Sequence, residues 1–320
     1  MSVFTCEVVP VVLEPHPNAD KLAIVRIGGY TVGVRKDEWA GRDRGVYIPP
    51  DSVVPRDERF EWLFQQQKNG RVRVKKFRGH YSQGVLMPCP DGTPIGTDMA
   101  TAWGITHWEP PVPLGCTDGN PIAGPPGLVI PKYDVENYQR FPDAIRPGEL
   151  VYVTEKIHGC NARYVWDGDQ MYCGSRTQWK ENHPRSLWWN TLQQAPWIEP
   201  WCREHPKMVL FGEIYGHVQD LRYGAKDGEY SFRVFDILEN GCWVDYARLE
   251  NLMGLGRAPV LAVGPFEPAK FLELAESDSV LCPGQMMEGV VVCTVVERTH
   301  PRLGRCQVKM VSNRYLERDG

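Results

Sequence analysis

The stretch Val151–Arg163, VYVTEKIHGCNAR, puts Lys156 at the end of a β-branched and aromatic run, three residues before Gly159. A lysine on the last residue of a strand, followed by a glycine that lets the chain turn tightly against a ligand, presents an amine that could serve as a nucleophile, for instance on the phosphorus of a nucleotide, although K-x-x-G alone is common. At its ordinary pKa of about 10.4 a lysine is protonated and unreactive. It needs a second cation and a bound divalent metal nearby to free the lone pair. Such a metal requires carboxylates, the phosphates require cations, and a purine requires a flat ring.

Five later runs supply these groups in order: CGSRT (Cys173–Thr177), VLFGEIYG (Val209–Gly216), SFRVFDI (Ser231–Ile237), MEGVVV (Met287–Val292) and QVKMVS (Gln307–Ser312). Most are short apolar segments carrying one or two charged residues, as strands lining a cleft would be. Glu213 and Glu288 are the candidate holders of Mg2+ or Mn2+, through the metal's water shell. Arg176 and Lys309 would neutralise phosphates, and Lys309 also serves as the second cation beside Lys156. Phe235 offers a purine its face, and Gly289 admits close backbone approach to the sugar. Glu155, Ile157 and Gly159, flanking the lysine, belong to the nucleotide-binding set, and Asp236 to the catalytic one. Each piece alone is common; the ordered series carries the reading.

The elements that position these residues fill the second half of a 320-residue chain, a length that suggests about two domains. With 42% hydrophobic and 24% charged residues the composition is that of a soluble globular protein. A formal net charge of −4 gives no global attraction to nucleic acid, so such binding needs a local basic patch. There is no apolar run long enough to cross a membrane and no signal-peptide pattern at the start, so a cytoplasmic location is expected. The ten cysteines form no CxxC pair and read as reduced core thiols, Cys160 included.

Residues Val3–Ile48 alternate as short β-runs, and HPNADKL (His16–Leu22) resembles the strand-joining turn of tRNA-binding OB domains. VYIPPDSVVP (Val46–Pro55) reads as a further barrel strand and its exit. In KNGRVRVKKFRGH (Lys68–His80), Arg71, Arg73 and Lys75 alternate with valines, which predicts a strand with three cations on one face, a candidate nucleic-acid surface. Thr101–Pro131 is rich in Pro and Gly and reads as a linker, with a boundary near Thr117: domains 1–117 and 118–320. PKYDVENYQRFPD reads as a short amphipathic helix. Trp188, Trp189, Trp197 and Trp201 fall at helical spacing and read as packing residues.

The ordered runs resemble nucleotidyl motifs I, Ia, III, IIIa, IV and V of the covalent nucleotidyltransferases, the ATP-dependent ligases and mRNA capping enzymes. EKIHG and GSRT are closer to RNA ligases of the phage and kinetoplastid-editing type than to DNA ligases. The order of domains is similar to that of the Naegleria/Deinococcus-type RNA ligases. The resemblance implies an α+β chain: an N-terminal OB-like β-barrel, then an ATP-grasp-like ligase adenylylation domain with antiparallel sheets and flanking helices. It implies ATP-dependent sealing of 3′-OH/5′-phosphate nicks through a lysyl-AMP, with ATP as substrate, Mg2+ or Mn2+, and RNA or an RNA/DNA nicked duplex as partner of a monomeric enzyme. It also promotes His158 to a catalytic candidate. Two positions depart from the family pattern. Gln307 stands where motif V has its first lysine, leaving Lys309 alone or assisted by Arg305, so that a lysine restored at 307 should be tolerated. Thr154 stands where some relatives have an arginine, with Arg140 as the candidate replacement contact to phosphate. The alternatives are a capping-type guanylyltransferase and a non-catalytic nucleic-acid-binding relative; the first is disfavoured because the chain ends eight residues after Ser312, without a C-terminal OB domain.

Overall fold

A computed structural model describes residues 4–65, 69–108, 116 and 118–318. These form two compact units. One comprises residues 4–108 together with 138–142 and 316–318; the other comprises 116–137 and 143–315. The expected boundary at Thr117 lies outside the described residues. Among the described residues no helix is long and apolar enough to cross a membrane.

The first unit is built from short antiparallel strands. Arg44–Ile48 pairs with Val8–Pro10 on one side and Val85–Met87 on the other, and Leu22–Ile27 pairs with Glu14–Pro15 and Tyr30–Arg35. Their alternation turns Ala23, Val25, Val32, Val34, Val46 and Ile48 inward, each 7% exposed or less. The HPNADKL segment is the connection between the strands Glu14–Pro15 and Leu22–Ile27.

The basic strand expected over Arg71–Lys75 is not formed as such, and this corrects the placement of Arg71, Arg73 and Lys75 on one open face. Val72 and Val74 do point inward, but regular pairing begins only at Lys75, in a hairpin of Lys75–Phe77 with His80–Ser82. Arg71 is 5% exposed: its Nη2 donates to Asp51 Oδ1 at 2.8 Å and its guanidinium lies 3.4 Å from the Trp108 ring centre. A carboxylate twenty residues earlier and an indole well downstream thus draw it in. Arg73 is half-buried. The exposed cations are instead Lys75, Lys76 and Arg78 around the hairpin tip, where Arg78 and Gly79 take left-handed φ of 48° and 91°.

The second unit holds two sheets. One has the order Pro121–Ile122, Trp179–Lys180, Met171–Gly174, Cys160–Trp166, Val209–Gly216, Tyr230–Glu239, Cys242–Trp243, all antiparallel. The other has the order Glu136–Asn137, Gln307–Val311, Gly289–Thr294, Leu150–Lys156, Val260–Pro265. Leu150–Lys156 is central and buried except at its ends, as its β-branched run dictates. The helices Leu187–Gln194 and Ile198–Glu204 pack on the first sheet through Leu187, Trp188, Ile198 and Trp201, so tryptophans of this stretch serve as core.

The helix expected in PKYDVENYQRFPD is absent. Glu136–Asn137 instead runs parallel to Gln307–Val311, with Asn137 opposite Lys309. The reason is tertiary: the buried Tyr133 hydroxyl is bound by two side chains of the sheets, and an extended backbone delivers it there. The region read as linker also contains the helix Ala100–Trp103 and the short strands Thr106–His107 and Pro121–Ile122.

Candidate active site

A cavity of about 230 Å³ opens between the two sheets of the second unit. From one sheet it is lined by Glu155, Lys156, Val291 and Lys309, and from the other by Asn161, Glu213 and Phe235. Arg176 and Ile157 complete the expected part of the wall. Strand pairing explains the convergence. Lys156 sits opposite Gly289, Lys309 opposite Val291, and Glu213 opposite Asn161, so period-2 alternation aims their side chains into one space.

Gly159 and Gly289 act by close backbone approach. A Cβ on Gly159 would lie 1.9 Å from the Ile214 carbonyl oxygen, and one on Gly289 2.2 Å from that of Met310. The space where a Cβ of Gly289 would stand is therefore filled by the neighbouring strand.

Charge is arranged as a chain. Lys156 Nζ is ion-paired with Glu288 Oε1. Glu288 Oε2 faces His158 Nδ1 at 3.3 Å, and His158 Nε2 faces Asp220 at 2.8 Å. The Tyr315 hydroxyl also meets His158 Nδ1 at 3.0 Å, while the His158 backbone N–H donates to the Tyr223 hydroxyl. Burial opposes charge on Glu288, but Lys156 and His158 overcome it and hold the carboxyl down at about 2. Burial likewise works against a charged His158, yet the hydrogen bonds it donates to Asp220 and Glu288 raise it above the usual imidazole value. Burial lowers Lys309, with the Lys156 cation adding to the effect.

Glu213 behaves differently. Among the described residues its carboxylate makes no hydrogen bond or ion pair, and burial raises it to about 8. Beside it, the buried Asn161 Oδ1 has no hydrogen-bond partner. A carboxylate and an amide oxygen left unsatisfied next to Glu288 form an oxygen-rich set that suits a hard divalent cation and its waters. Glu213 and Glu288 would hold it.

Other expected residues sit elsewhere. The Glu155 carboxylate, 2% exposed, accepts from Ser279 Oγ at 2.5 Å and the Val280 N–H at 2.9 Å, so it anchors a turn even as Glu155 lines the cavity. Asp236 is fully buried; it accepts from the Tyr133 hydroxyl at 3.0 Å and pairs with Arg305. Arg305 also pairs with Glu297 and lies 4.5 Å from the Trp243 ring centre, outside the cavity lining. This corrects its assignment to phosphate. Arg140, in the 138–142 segment of the first unit, donates to Thr5 Oγ1 at 3.2 Å and does not line the cavity either.

Tyr133 and Asp134 were missed, because their segment reads as helical. Both line the cavity: Asp134 lies 3.7 Å from Arg176, and the Tyr133 ring lies 4.7 Å from that of Phe235. Gln307, 3% exposed, ties them together: its Oε1, 2.9 Å from the Tyr133 hydroxyl, shares that single proton with Asp236, and its Nε2 donates to the Asp134 carbonyl at 3.2 Å. The expectation that Gln307→Lys is tolerated is therefore replaced by its opposite. An ammonium offers the tyrosine no acceptor and would be buried on the same strand face as Arg305 and Lys309. An unmade buried hydrogen bond costs about 1–3 kcal/mol. We expect Gln307→Lys to lower the melting midpoint by roughly 3–10 °C in a calorimetric scan. An unchanged midpoint would mean that this network contributes little.

A sequence model of the RNA ligase family matches residues 149–311, and one of an OB-fold domain matches residues 5–89. No curated protein sequence matches the chain. Solved structures of Naegleria gruberi RNA ligase are similar along nearly the whole length. A form with pyrophosphate has a TM-score of 0.81 at 24% identity, and a mutant with ATP and Mn a TM-score of 0.80 at 23%, each covering 98% of both chains. A second mutant, with AMP and Mn, has a TM-score of 0.79 at 23% identity and the same coverage.

Proposed function

The chain belongs to the RNA ligase family, and from that premise we propose that it seals 3′-OH/5′-phosphate nicks with an RNA 3′ end, consuming ATP through a lysyl-AMP. One observation carries the reading: Lys156, Arg176, Glu213, Phe235 and Lys309, drawn from separate strands and turns, surround a single cavity. The known ligands of the similar structures, ATP, AMP, pyrophosphate and Mn, fit the same chemistry.

On this reading Lys156 Nζ attacks the α-phosphorus of ATP, a P–N bond forms and pyrophosphate leaves. The AMP then passes to the 5′-phosphate of the nick. The 3′-OH attacks that phosphorus and AMP departs. All three are in-line displacements, so orientation and charge supply most of the rate. Glu288 holds the Lys156 amine in place and His158, braced by Asp220 and Tyr315, holds Glu288. Phe235, backed by Tyr133, takes the purine, while Arg176 and Lys309 meet phosphate oxygens. Mg2+ or Mn2+ at Glu213 and Glu288 would offset phosphate charge when bound. Sealing assays on a panel of nicked duplexes, RNA or DNA on each side of the nick, test the proposal. Sealing independent of RNA at the 3′-OH side, or labelling by GTP in place of ATP, would overturn it.

The nucleic-acid surface we assign to the hairpin tip of the first unit. Lys75, Lys76 and Arg78 are exposed there, and Phe77 is 42% exposed. Each phosphate contact releases counterions worth about 0.9 in the log–log salt slope. Replacing the three cations by alanine should flatten the slope of nick binding by up to roughly 2.7 and slow sealing, with lysyl-AMP formation unchanged. An unaltered salt slope would remove the hairpin from the interface.

A further inference from the structure

Of the ten cysteines, Cys116 and Cys160 make the one sulfur–sulfur contact among the described residues, Sγ to Sγ 3.6 Å. They lie far apart in sequence, and nothing in the catalytic scheme uses either. Cys160 begins the strand Cys160–Trp166, immediately after Gly159 of the Lys156 loop and immediately before the cavity residue Asn161. Its backbone partner is Ile214, next to Glu213. The two thiols are unlike. The hydrogen bond from Cys160 holds the Cys116 thiol below its ordinary value, helped by the Lys180 cation, whereas that same bond and burial push Cys160 up. Both thiols are half-buried, and Cys116, the more acidic of the two, is the readier to react with a small oxidant.

We propose that Cys116 and Cys160 are a modification site, a thiol pair that a peroxide converts to a disulfide and that thereby slows reaction at Lys156. The Cys116 thiolate attacks one peroxide oxygen, giving a sulfenic acid and, with a proton, one water. The Cys160 sulfur then displaces the sulfenic oxygen as a second water and the S–S bond closes; two thiols are oxidised and one peroxide is reduced. Closure brings the sulfurs to about 2.05 Å from 3.6 Å. That movement is imposed on the residues joining Gly159 to Asn161, between the nucleophile loop and Glu213. The consequence for Lys156 rests on the nucleotide-site reading above; the disulfide itself does not.

The test treats the whole chain with hydrogen peroxide, maps disulfides by mass spectrometry, and measures lysyl-AMP formation before oxidation, after it, and after dithiothreitol. A 116–160 disulfide is expected, with adduct formation at least about tenfold slower and restored by the reductant. Cys116→Ser and Cys160→Ser, each made separately, should abolish both the disulfide and the slowing. The proposal is overturned if no such disulfide is found in the wild type, or if it forms without changing the rate. A reduced wild type that makes no adduct at all would instead sink the ligase reading, while the disulfide would still stand or fall on the mass map.

Discussion

Lys156→Ala should take no label from α-labelled ATP, a loss of roughly 10⁴-fold or more, while the chain keeps its fold. The cavity holds a second amine, which makes the expectation sharp. Lys309 is half-buried and its ammonium is disfavoured there, so on acidity alone it would be the readier nucleophile. Position argues otherwise. Lys156 is the last residue of its strand, opposite Gly289 and in contact with Glu288, whereas Lys309 stands opposite Val291, two pairs further in. Removing Lys156 leaves Glu288 with His158, so the carboxylate is not stranded. Label in the mutant that maps to Lys309 would exchange the two roles.

The second large effect concerns the carboxylates. Glu288→Gln should slow lysyl-AMP formation by roughly 10²-fold or more, and Glu213→Gln by roughly 10-fold or more, with saturating Mn2+ restoring neither fully. Glutamine preserves shape and removes only the charge, so the change reads the loss of the anion beside Lys156 and His158 and not a cavity. Glu288 should be the more damaging site since it does two things, orienting the Lys156 amine and holding the metal. The Glu213 carboxylate makes no hydrogen bond or ion pair among the described residues, so Glu213→Gln should leave the melting midpoint nearly unchanged. Normal rates in Glu288→Gln across a metal titration would reduce that carboxylate to packing.

Much of the site was legible because it is carried on strands. A short apolar run holding a single charged residue reveals both the element and the side it faces, and Lys156, Glu213 and Lys309 were found that way. Residues whose neighbours come from elsewhere in the chain were not legible. Arg71 looked like one of three solvated cations; Asp51 and Trp108, which bury it, leave no mark on the local pattern. Arg305 looked like a substitute for a missing lysine, yet Asp236, Glu297 and Trp243 hold it away from the cavity. Tyr133 was hidden by a locally helical reading that its buried hydroxyl overrides. Gln307 was recognised as unusual, but only its bonds to Tyr133 and Asp134 show why a lysine would be out of place.

The first unit draws on three separated stretches of chain, 4–108, 138–142 and 316–318, and this bears on birth at the ribosome. Its sheets are complete in sequence by His107, but the Gly29 N–H donates to the carbonyl of Gln139, and residues 316–318 follow some two hundred positions later. At a synthesis rate of about 5–20 residues per second, that closing piece emerges roughly ten seconds or more after the sheets. During that interval the sheets of the first unit must persist without residues 316–318.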